Sequence, residues 1–216
     1  MNSSGEIRWF QTYSGEDLGW AGSIVELEDG SLVVTGGVGV YGQNDANPFL
    51  MNVVGEGDVS WLQIYSYGGN QLGQQVLDTG DGFLVISDES VESTIFNALV
   101  LKTDQSGQLV WDKRLGEAGV SLMRRAVVND LGQFVLAGGT NTINEGQGDC
   151  WLVALDSDGS VLWEKTYGDV PNERATTLLQ LSDGGYILAG TAIRGGEDSH
   201  GFILKTDENG MLLERE

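Results

Sequence analysis

The stretch LDSDGSVLWEKTYG (residues 155–168) reads as a β-strand, a tight turn and a second strand that ends in a glycine. Similar stretches occur at residues 101–116, LKTDQSGQLVWDKRLG, and more loosely at residues 53–68, VVGEGDVSWLQIYSYG. The chain therefore repeats one supersecondary unit. The period of that repeat decides the fold class.

Three columns of residues establish the period. Four tryptophans are spaced 52, 50 and 52 residues apart, a glycine follows each of them by 21 residues, and another precedes each by four. The columns are Trp9, Trp61, Trp111 and Trp163; Gly30, Gly82, Gly132 and Gly184; and Gly5, Gly57, Gly107 and Gly159, with Gly210 as a fifth member of the last. A period near 50 residues is typical of propeller blades or solenoid turns.

Each repeat predicts four strands, A to D, which are rich in β-branched and aromatic residues and alternate clearly in B and C. Repeated four-stranded antiparallel units of this length are propeller blades. We therefore predict an all-β fold, a single β-propeller domain over residues 1–216. Its repeats are expected at about 15–66, 67–116, 117–168 and 169–216. The repeated tryptophan is expected to pack against the neighbouring blade.

The most regular copies of the repeat are DCWLVALDSDGSVLWEKTYG (149–168) and DGGYILAGT (183–191). They resemble a family of bacterial and archaeal propeller repeats that read D-x-W-L-V-K-L-D-x-x-G-x-x-x-W-x-K-T-Y-G, followed by an Asp-Gly-Gly turn. The first two repeats depart from that pattern at NPFLMNVVGEGD (47–58) and FLVISDE (83–89). The strand order also resembles that of kelch blades. This resemblance covers the whole chain and implies a propeller of an exported or cell-surface protein.

The sequence does not decide how the ring of blades closes. Four A-B-C sets are accompanied by five D-like segments, because GEIRWFQTY (5–13) and GMLLERE (210–216) both fit that position. Trp9 and Tyr13 match the D pattern, so residues 6–13 are expected to close a four-bladed ring as the D strand of the last blade. The chain is otherwise part of a larger ring, or two chains join into one. Monomer and dimer are therefore both open.

Charge and composition limit the classes of molecule that this protein is expected to bind. The chain has 32 acidic and 11 basic residues and a net charge of −21. Such a field repels phosphate backbones and anionic lipids, so neither a nucleic-acid partner nor membrane insertion is expected. Protein and carbohydrate ligands both fit. Cys150 is the single cysteine, which excludes an internal disulfide, and we expect a small buried thiol beside Trp151.

The longer B–C and D–A loops meet on one face of such a propeller, where binding sites usually lie. Acidic residues are concentrated in these loops: Glu16, Asp17, Asp45, Glu92, Glu117, Glu145, Asp149, Asp169, Glu173, Glu197 and Asp198. Converging carboxylates would bind calcium, a hard cation that takes several oxygen ligands. No other cofactor is expected. Separate solvated loop charges are the other interpretation.

A polar column also stands at the start of strand C. It consists of Asn47, Asn97, Asp149 and His200. Bonds from these side chains to the loop backbone would explain the column without a ligand. His200 is the only histidine, which excludes a multi-histidine metal site. The candidate binding residues are Asp45, Asn47, Asn97, Glu145, Asp149, Asp198 and His200, and no residue is assigned as catalytic.

These observations favour a non-enzymatic β-propeller module that binds or displays a ligand outside the cytoplasm or at the cell surface. No signal-peptide pattern is visible in the sequence itself. The alternative is a polysaccharide-active enzyme that uses two loop carboxylates as acid and base, since glycoside hydrolysis needs a carboxyl pair ~5–10 Å apart. A raised carboxyl pKa in a loop-face pocket would favour the enzyme, and a flat acidic face would favour binding.

Overall fold

The computed structural model describes residues 4–13, 18–39, 45–92, 95–116, 119–142, 148–168, 172–194 and 198–213. Within these ranges the regular structure consists of strands. They are β1 (Leu18–Glu26), β2 (Leu32–Val38), β3 (Asn47–Val54), β4 (Asp58–Ile64), β5 (Asn70–Asp78), β6 (Gly82–Glu92), β7 (Ile95–Asp104), β8 (Leu109–Leu115), β9 (Ser121–Val128), β10 (Phe134–Thr140), β11 (Asp149–Leu155), β12 (Val161–Tyr167), β13 (Glu173–Gln180), β14 (Tyr186–Arg194) and β15 (Asp198–Thr206). No helix in the described ranges is long and apolar enough to cross a membrane.

The strands form four antiparallel sheets that follow chain order. Blades 1, 2 and 3 are the four-stranded sheets β1–β4, β5–β8 and β9–β12, and blade 4 is the three-stranded sheet β13–β15. The predicted all-β propeller fold is therefore confirmed. In blades 1 to 3 the strands A to D follow one another across the sheet, with A and D at its two edges, and blade 4 contains strands A to C.

The turn between strands A and B shows why glycine recurs there. In blade 3 the Asn129 side chain accepts hydrogen bonds from the backbone amides of Leu131 and Gln133, and Gly132 takes a φ of 73°. A left-handed φ of this kind favours glycine because it has no Cβ. Blade 2 differs, since its turn is one residue shorter and the turn glycine is Gly80, with a φ of 79°.

Gly82 therefore belongs to its column for another reason. It begins β6, and a Cβ added there would stand 2.0 Å from the carbonyl oxygen of Thr103 on the neighbouring strand. The regular spacing of 21 residues thus combines two different requirements for glycine.

Neighbouring blades pack face to face. We call the face of a sheet that contacts the preceding blade its front face, and the face that contacts the following blade its back face. The back face of blade 1, with Val33 and Leu50, shares one core cluster with the front face of blade 2, where Val76, Val85 and Leu99 lie. The same arrangement joins blade 2 to blade 3 and blade 3 to blade 4. Each sheet therefore buries both faces only when a blade lies on each side of it.

The repeated tryptophans pack against the next blade, as predicted. Trp61, Trp111 and Trp163 lie with ring centroids 6.1–6.2 Å from an aromatic residue of the following blade: Phe83, Phe134 and Tyr186. The indole of Trp61 also covers Gly107, where an added Cβ would meet it at 2.7 Å. The C–D turn glycine is therefore needed to admit the tryptophan of the preceding blade.

The array of blades is open. Inner strands of neighbouring blades pack together, β1 on β5, β5 on β9 and β9 on β13, and no comparable packing joins β13 to β1 in the described ranges. Residues 6–13, expected as the fourth strand of blade 4, lie outside its sheet, and an isolated bridge from Thr206 to Leu212 occupies part of that edge. Residues 6–13 contact blade 1, where the Tyr13 hydroxyl donates to the carbonyl of Gly57 at 2.9 Å. Closure of a four-bladed ring by these residues stays a prediction.

Candidate functional site

Strand starts from adjacent blades meet on the loop face, and we call these places the loop-face junctions. At the junction of blades 1 and 2, the amide of Gln71 donates to the carbonyl of Ala46 at 2.8 Å, which brings β5 beside Asn47. At the junction of blades 3 and 4, the amide of Glu173 donates to Gly148 at 2.8 Å, which brings β13 beside Asp149. The two junctions have the same backbone geometry but different side chains, an amide pair in the first and a carboxyl pair in the second.

The carboxyl pair of the blade 3–4 junction is close and buried. Asp149 and Glu173 are both buried in the interface between their strands. The Oδ1 of Asp149 and the Oε2 of Glu173 each lie 2.8 Å from the position that a Cβ on Gly168 would take. The two oxygens are therefore separated by at most twice that distance. Gly168 keeps the space between them free of a side chain.

A cleft of about 140 Å³ opens beside Glu173. Its wall carries hydrogen-bond donors from three strands and their loops. The polar lining residues are Arg124, Thr140, Asn141, Asn172, Glu173 and Arg174. Asn172 has a φ of 65°, a left-handed conformation that asparagine tolerates better than most residues. The loop face therefore contains a recessed polar cleft and is not flat.

Arg124 joins this cleft to blade 2. Its guanidinium donates to the Oδ2 of Asp88, a carboxylate near the loop end of β6. Burial raises the pKa of the Asp88 carboxyl above its ordinary value, and the neighbouring Arg124 charge opposes that rise. Asp88 does not line the cleft, so this shift describes the ion pair beside the cleft and not a group that would face a ligand.

Blade 2 contains a second polar cluster, in which the carboxylate of Glu89 is paired with an arginine. Glu89 accepts hydrogen bonds from Arg114 Nε at 2.7 Å and from Arg114 Nη2 at 2.9 Å, and Gln71 Nε2 donates to it at 3.3 Å. The Arg114 guanidinium also lies 5.3 Å from the ring centroid of Tyr67. Such a paired, charge-assisted arrangement holds the loop end of blade 2 together.

The predicted binding residues are distributed unevenly. Asp45 is exposed, and its carbonyl accepts from the Asn47 side chain at 2.7 Å, so Asn47 serves the local backbone. Asn97 is half-buried beside the Glu89 cluster, and His200 is exposed on β15. Only Asp149, of the described side chains in that set, is brought together with a second carboxylate. Glu145 and the side chain of Asp198 lie outside the described residues.

Several of the other loop acids also lie outside the described residues: Glu16, Asp17, Glu117, Asp169, Glu197 and the side chain of Glu92. Within the described part of the chain, no group of three His, Cys, Asp or Glu side chains is arranged to hold a metal ion. Calcium binding stays a prediction. Cys150 is buried, as expected, and burial raises the pKa of its thiol to about 12, so the sulfur is protonated and unreactive.

Sequence reasoning missed Asp88, Glu89, Arg114 and Arg124. All four lie within strands, where the repeat pattern indicates framework. One signal was available, because Asp88 stands where the first and third repeats have Gly37 and Gly139. A charged residue at a position that is otherwise glycine marks a local change of role.

No family model matches the sequence, and no curated protein matches it either. Solved structures with a similar fold include an endo-arabinase from Bacteroides thetaiotaomicron, with 10% identity, a TM-score of 0.49, and coverage of 86% of this chain and 74% of that chain. A thermostable family-43 glycoside hydrolase has 10% identity and a TM-score of 0.48, with coverage of 91% and 72%. A subtype N10 neuraminidase-like protein of A/little yellow-shouldered bat/Guatemala has 11% identity and a TM-score of 0.43, with coverage of 83% and 64%.

These comparisons correct the expectation of a non-enzymatic binding module. The similar structures include an endo-arabinase and a glycoside hydrolase, and the expectation of a non-enzymatic module is not carried further. At this level of identity the likeness itself is one of fold.

Proposed function

We propose that this protein is a polysaccharide-active hydrolase whose catalytic carboxyl pair is Asp149 and Glu173. The observation that supports the proposal is the convergence of two buried carboxyl groups on Gly168, beside a polar cleft on the loop face. Glycoside hydrolysis needs two carboxyl groups on opposite sides of the scissile bond.

The separation of the pair favours hydrolysis with retention. The upper limit on the distance between the two oxygens, twice 2.8 Å, leaves the roughly 5–5.5 Å of retaining enzymes within reach. Inverting enzymes separate the carboxyl groups by about 6.5–9.5 Å to admit a water molecule. In this proposal Glu173, which lines the cleft, attacks the anomeric carbon. Asp149 gives its proton to the departing glycosidic oxygen. In the second step Asp149 takes a proton from the water that attacks the anomeric carbon and displaces Glu173.

The surrounding residues would bind and orient the sugar. Arg124 and Arg174 present guanidinium donors to the cleft, and Asn141 and Asn172 offer amides of the kind that bind hydroxyl groups. Asp88 holds Arg124 by an ion pair and so acts as a positioning residue. The net charge of −21 repels polyanions, so a neutral polysaccharide is the better substrate class.

Hydrolysis of a panel of neutral polysaccharides tests this proposal, with release of reducing ends as the measurement. We expect Asp149→Asn and Glu173→Gln each to lower kcat by about 10²–10⁴-fold, the usual contribution of a general acid or base. Both variants should fold, because Asn47 and Gln71 already form the amide version of this junction between blades 1 and 2.

Asp183→Asn is the matched control, since Asp183 is an exposed carboxylate in the A–B turn on the opposite face. It should leave kcat unchanged. The anomer formed first by the wild-type protein, followed by proton NMR, should keep the configuration of the substrate. Absence of hydrolysis across the panel, or equal rates in Asp149→Asn and wild type, would contradict the proposal.

An action on polysaccharides also supports a location outside the cytoplasm, where such polymers are encountered. This location is part of the same proposal. Fractionation of the native host, with antibodies against this chain, measures it directly. Recovery in the cytoplasmic fraction alone would exclude it.

A further inference from the structure

We propose that the two end faces of the blade array, which have no neighbouring blade in the described part of the chain, bind each other between two copies of this chain, so that two chains close one eight-bladed ring. The faces are the front face of blade 1, which contains Ile24, and the back face of blade 4, which contains Ile203. The inference does not depend on the proposed hydrolase activity.

The exposure of two sets of equivalent residues, one residue from each blade, identifies these faces. Ile24 pairs with Val34 in the register in which Val76, Ala126 and Leu178 pair in the other blades. Ile24 is 58% exposed, whereas the other three are at most 7% exposed. On the opposite side, Ile203 is 74% exposed, whereas its counterparts Leu50, Val100 and Leu152 are 0% exposed. Only the end positions of each column leave a large aliphatic side chain in water.

The two end faces are complementary because the same contact already occurs three times within the chain. Every internal interface joins the back face of one blade to the front face of the next. The front face of blade 1 has the residue types of the covered front faces, and its cluster contains Val34, Phe49 and Met51. A cavity of about 610 Å³ lies over it, next to Ile24. The partner surface that fits such a front face is the back face of another blade of this kind.

Residues 4–13 point to the same partner. In blade 3, Trp163 covers Gly210 of the next blade and the Tyr167 hydroxyl donates to the Gly210 carbonyl at 2.5 Å. Trp9 and Tyr13 have the same relation to Gly57, with the tyrosine hydroxyl at 2.9 Å. The segment therefore already occupies the position of a D strand in a blade that precedes blade 1.

Such a D strand needs a C strand beside it, and β15 of a second copy supplies one. The β11–β12 ladder sets the register, because Leu152 pairs with Lys165 and Ala154 pairs with Trp163. Transferred to the interface, that ladder pairs Gln11 with Ile203 and Trp9 with Lys205. The added strand would cover the edge of β15, where residues 212 and 213 now contribute a bridge from Leu212 to Thr206 and a hydrogen bond from the Leu213 amide to the carbonyl of Lys205, and it would displace these two residues. An open strand edge of this kind is a ready site for pairing with another chain.

Closure sets the number of copies. A front-to-back contact between copies is heterologous, and it either closes into a ring or continues as a filament. Propellers have typically four to eight blades. Two copies with four blades each reach the upper end of that range, and three copies exceed it. A closed dimer leaves neither end face in water.

Molar mass by size-exclusion chromatography with light scattering tests the proposal at physiological ionic strength, where charges farther apart than about 8 Å are screened. The wild-type chain should elute with twice the mass of one chain. Ile24→Asp and Ile203→Asp should each be monomeric, because each destroys one of the two faces that every interface needs. A monomeric wild type at high micromolar concentration would overturn the proposal.

Mixing the two variants separates a lost interface from a misfolded protein. Ile24→Asp keeps its back face and Ile203→Asp keeps its front face, so an equimolar mixture should form a one-to-one dimer with a single interface. Two misfolded variants would give monomers in the mixture, and an interface between identical faces would leave one of the two single variants dimeric by itself. Either result would also contradict the proposal.

The strand pairing has its own test in the double variant Gln11→Cys/Ile203→Cys. Oxidation should produce a covalent dimer on a non-reducing denaturing gel, whereas either single variant should not. A band at the mass of one chain with an internal disulfide would show that residues 4–13 close the ring within their own chain, and the proposal would be wrong. Cys150 does not interfere because its thiol is buried.

Discussion

Blades 2 and 4 contain almost the same pentapeptide in strand C, VLKTD at residues 100–104 and ILKTD at residues 203–207, in opposite environments. Val100 is buried, and the Lys102 side chain is 6% exposed. Ile203 is largely exposed, and the Lys205 side chain is 43% exposed. Blade 3 covers the first copy, and no described residue of this chain covers the second to the same degree. Burial in this fold is therefore decided by the neighbouring blade, since a sheet buries its second face only against another sheet.

The largest expected effect comes from the tryptophans at covered interfaces. Trp111 contacts Phe134 and Gly159 of blade 3, and its indole nitrogen donates to the carbonyl of Ser157 at 2.9 Å. Trp111→Ala should lower the free energy of unfolding by about 3–5 kcal/mol, the usual cost of truncating a packed aromatic residue. Trp9→Ala, at the end of the array, should cost clearly less in a monomeric sample. Denaturant titration followed by circular dichroism measures both, and equal losses would break the comparison.

A smaller effect is expected within the pentapeptide itself. Val100→Ala removes apolar volume from a fully buried position and should cost about 1.5–3 kcal/mol. Ile203→Ala should change the free energy of unfolding by less than about 0.5 kcal/mol, as is usual for exposed positions. Both are to be measured at a dilution at which the chain is monomeric. A large loss for Ile203→Ala under those conditions would show that blade 4 is covered within one chain.

The smallest effect is expected for the ion pairs of Lys102 and Lys205, which lie two residues after Val100 and Ile203. Lys102 donates to Asp81 at 2.8 Å and to the carbonyl of Thr103 at 2.9 Å. Asp81→Asn leaves this buried ammonium group with less compensation and should cost about 1 kcal/mol at neutral pH. Asp183→Asn, which removes the partner of exposed Lys205, should have the weaker effect of a surface ion pair.

Acid titration sharpens the same comparison. The hydrogen bond from Lys102, followed by that from Thr79, lowers the pKa of Asp81 below its ordinary value. A lowered folded-state pKa contributes stability that is present above the unfolded value, about 3.9, and is lost as the pH falls through the folded value. The difference in unfolding free energy between wild type and Asp81→Asn should thus be full at neutral pH and fade below about pH 4. A difference that persists in strong acid would mean that the asparagine disturbs the turn and that the ion pair is not the cause.

The candidate site was only partly accessible to sequence reasoning. Asp149 could be singled out because it begins strand C in the most regular repeat, and Glu173 was one of many loop acids. Their convergence on Gly168 was not predictable, because they belong to different blades and are joined through the backbone contact of Glu173 with Gly148. Asp88 and Arg124 were missed because they lie on facing strands of two blades, where a strand pattern alone indicates core.

The sequence by itself determined the blades. Turn residues, strand alternation and pairing within about 50 residues are local properties, and the columns of tryptophan and glycine report packing that recurs identically at each interface. The tertiary structure alone decided which of these faces are covered, since Val100 and Ile203 differ by one methylene and yet one is buried and the other lies in water. It also placed residues 6–13 in contact with blade 1 and outside the sheet of blade 4. The physical reason is that burial and charge pairing depend on which blade lies opposite. A repeating sequence specifies the same partner surface for every blade, including the two end blades, for which the described part of this chain provides no neighbour on one side.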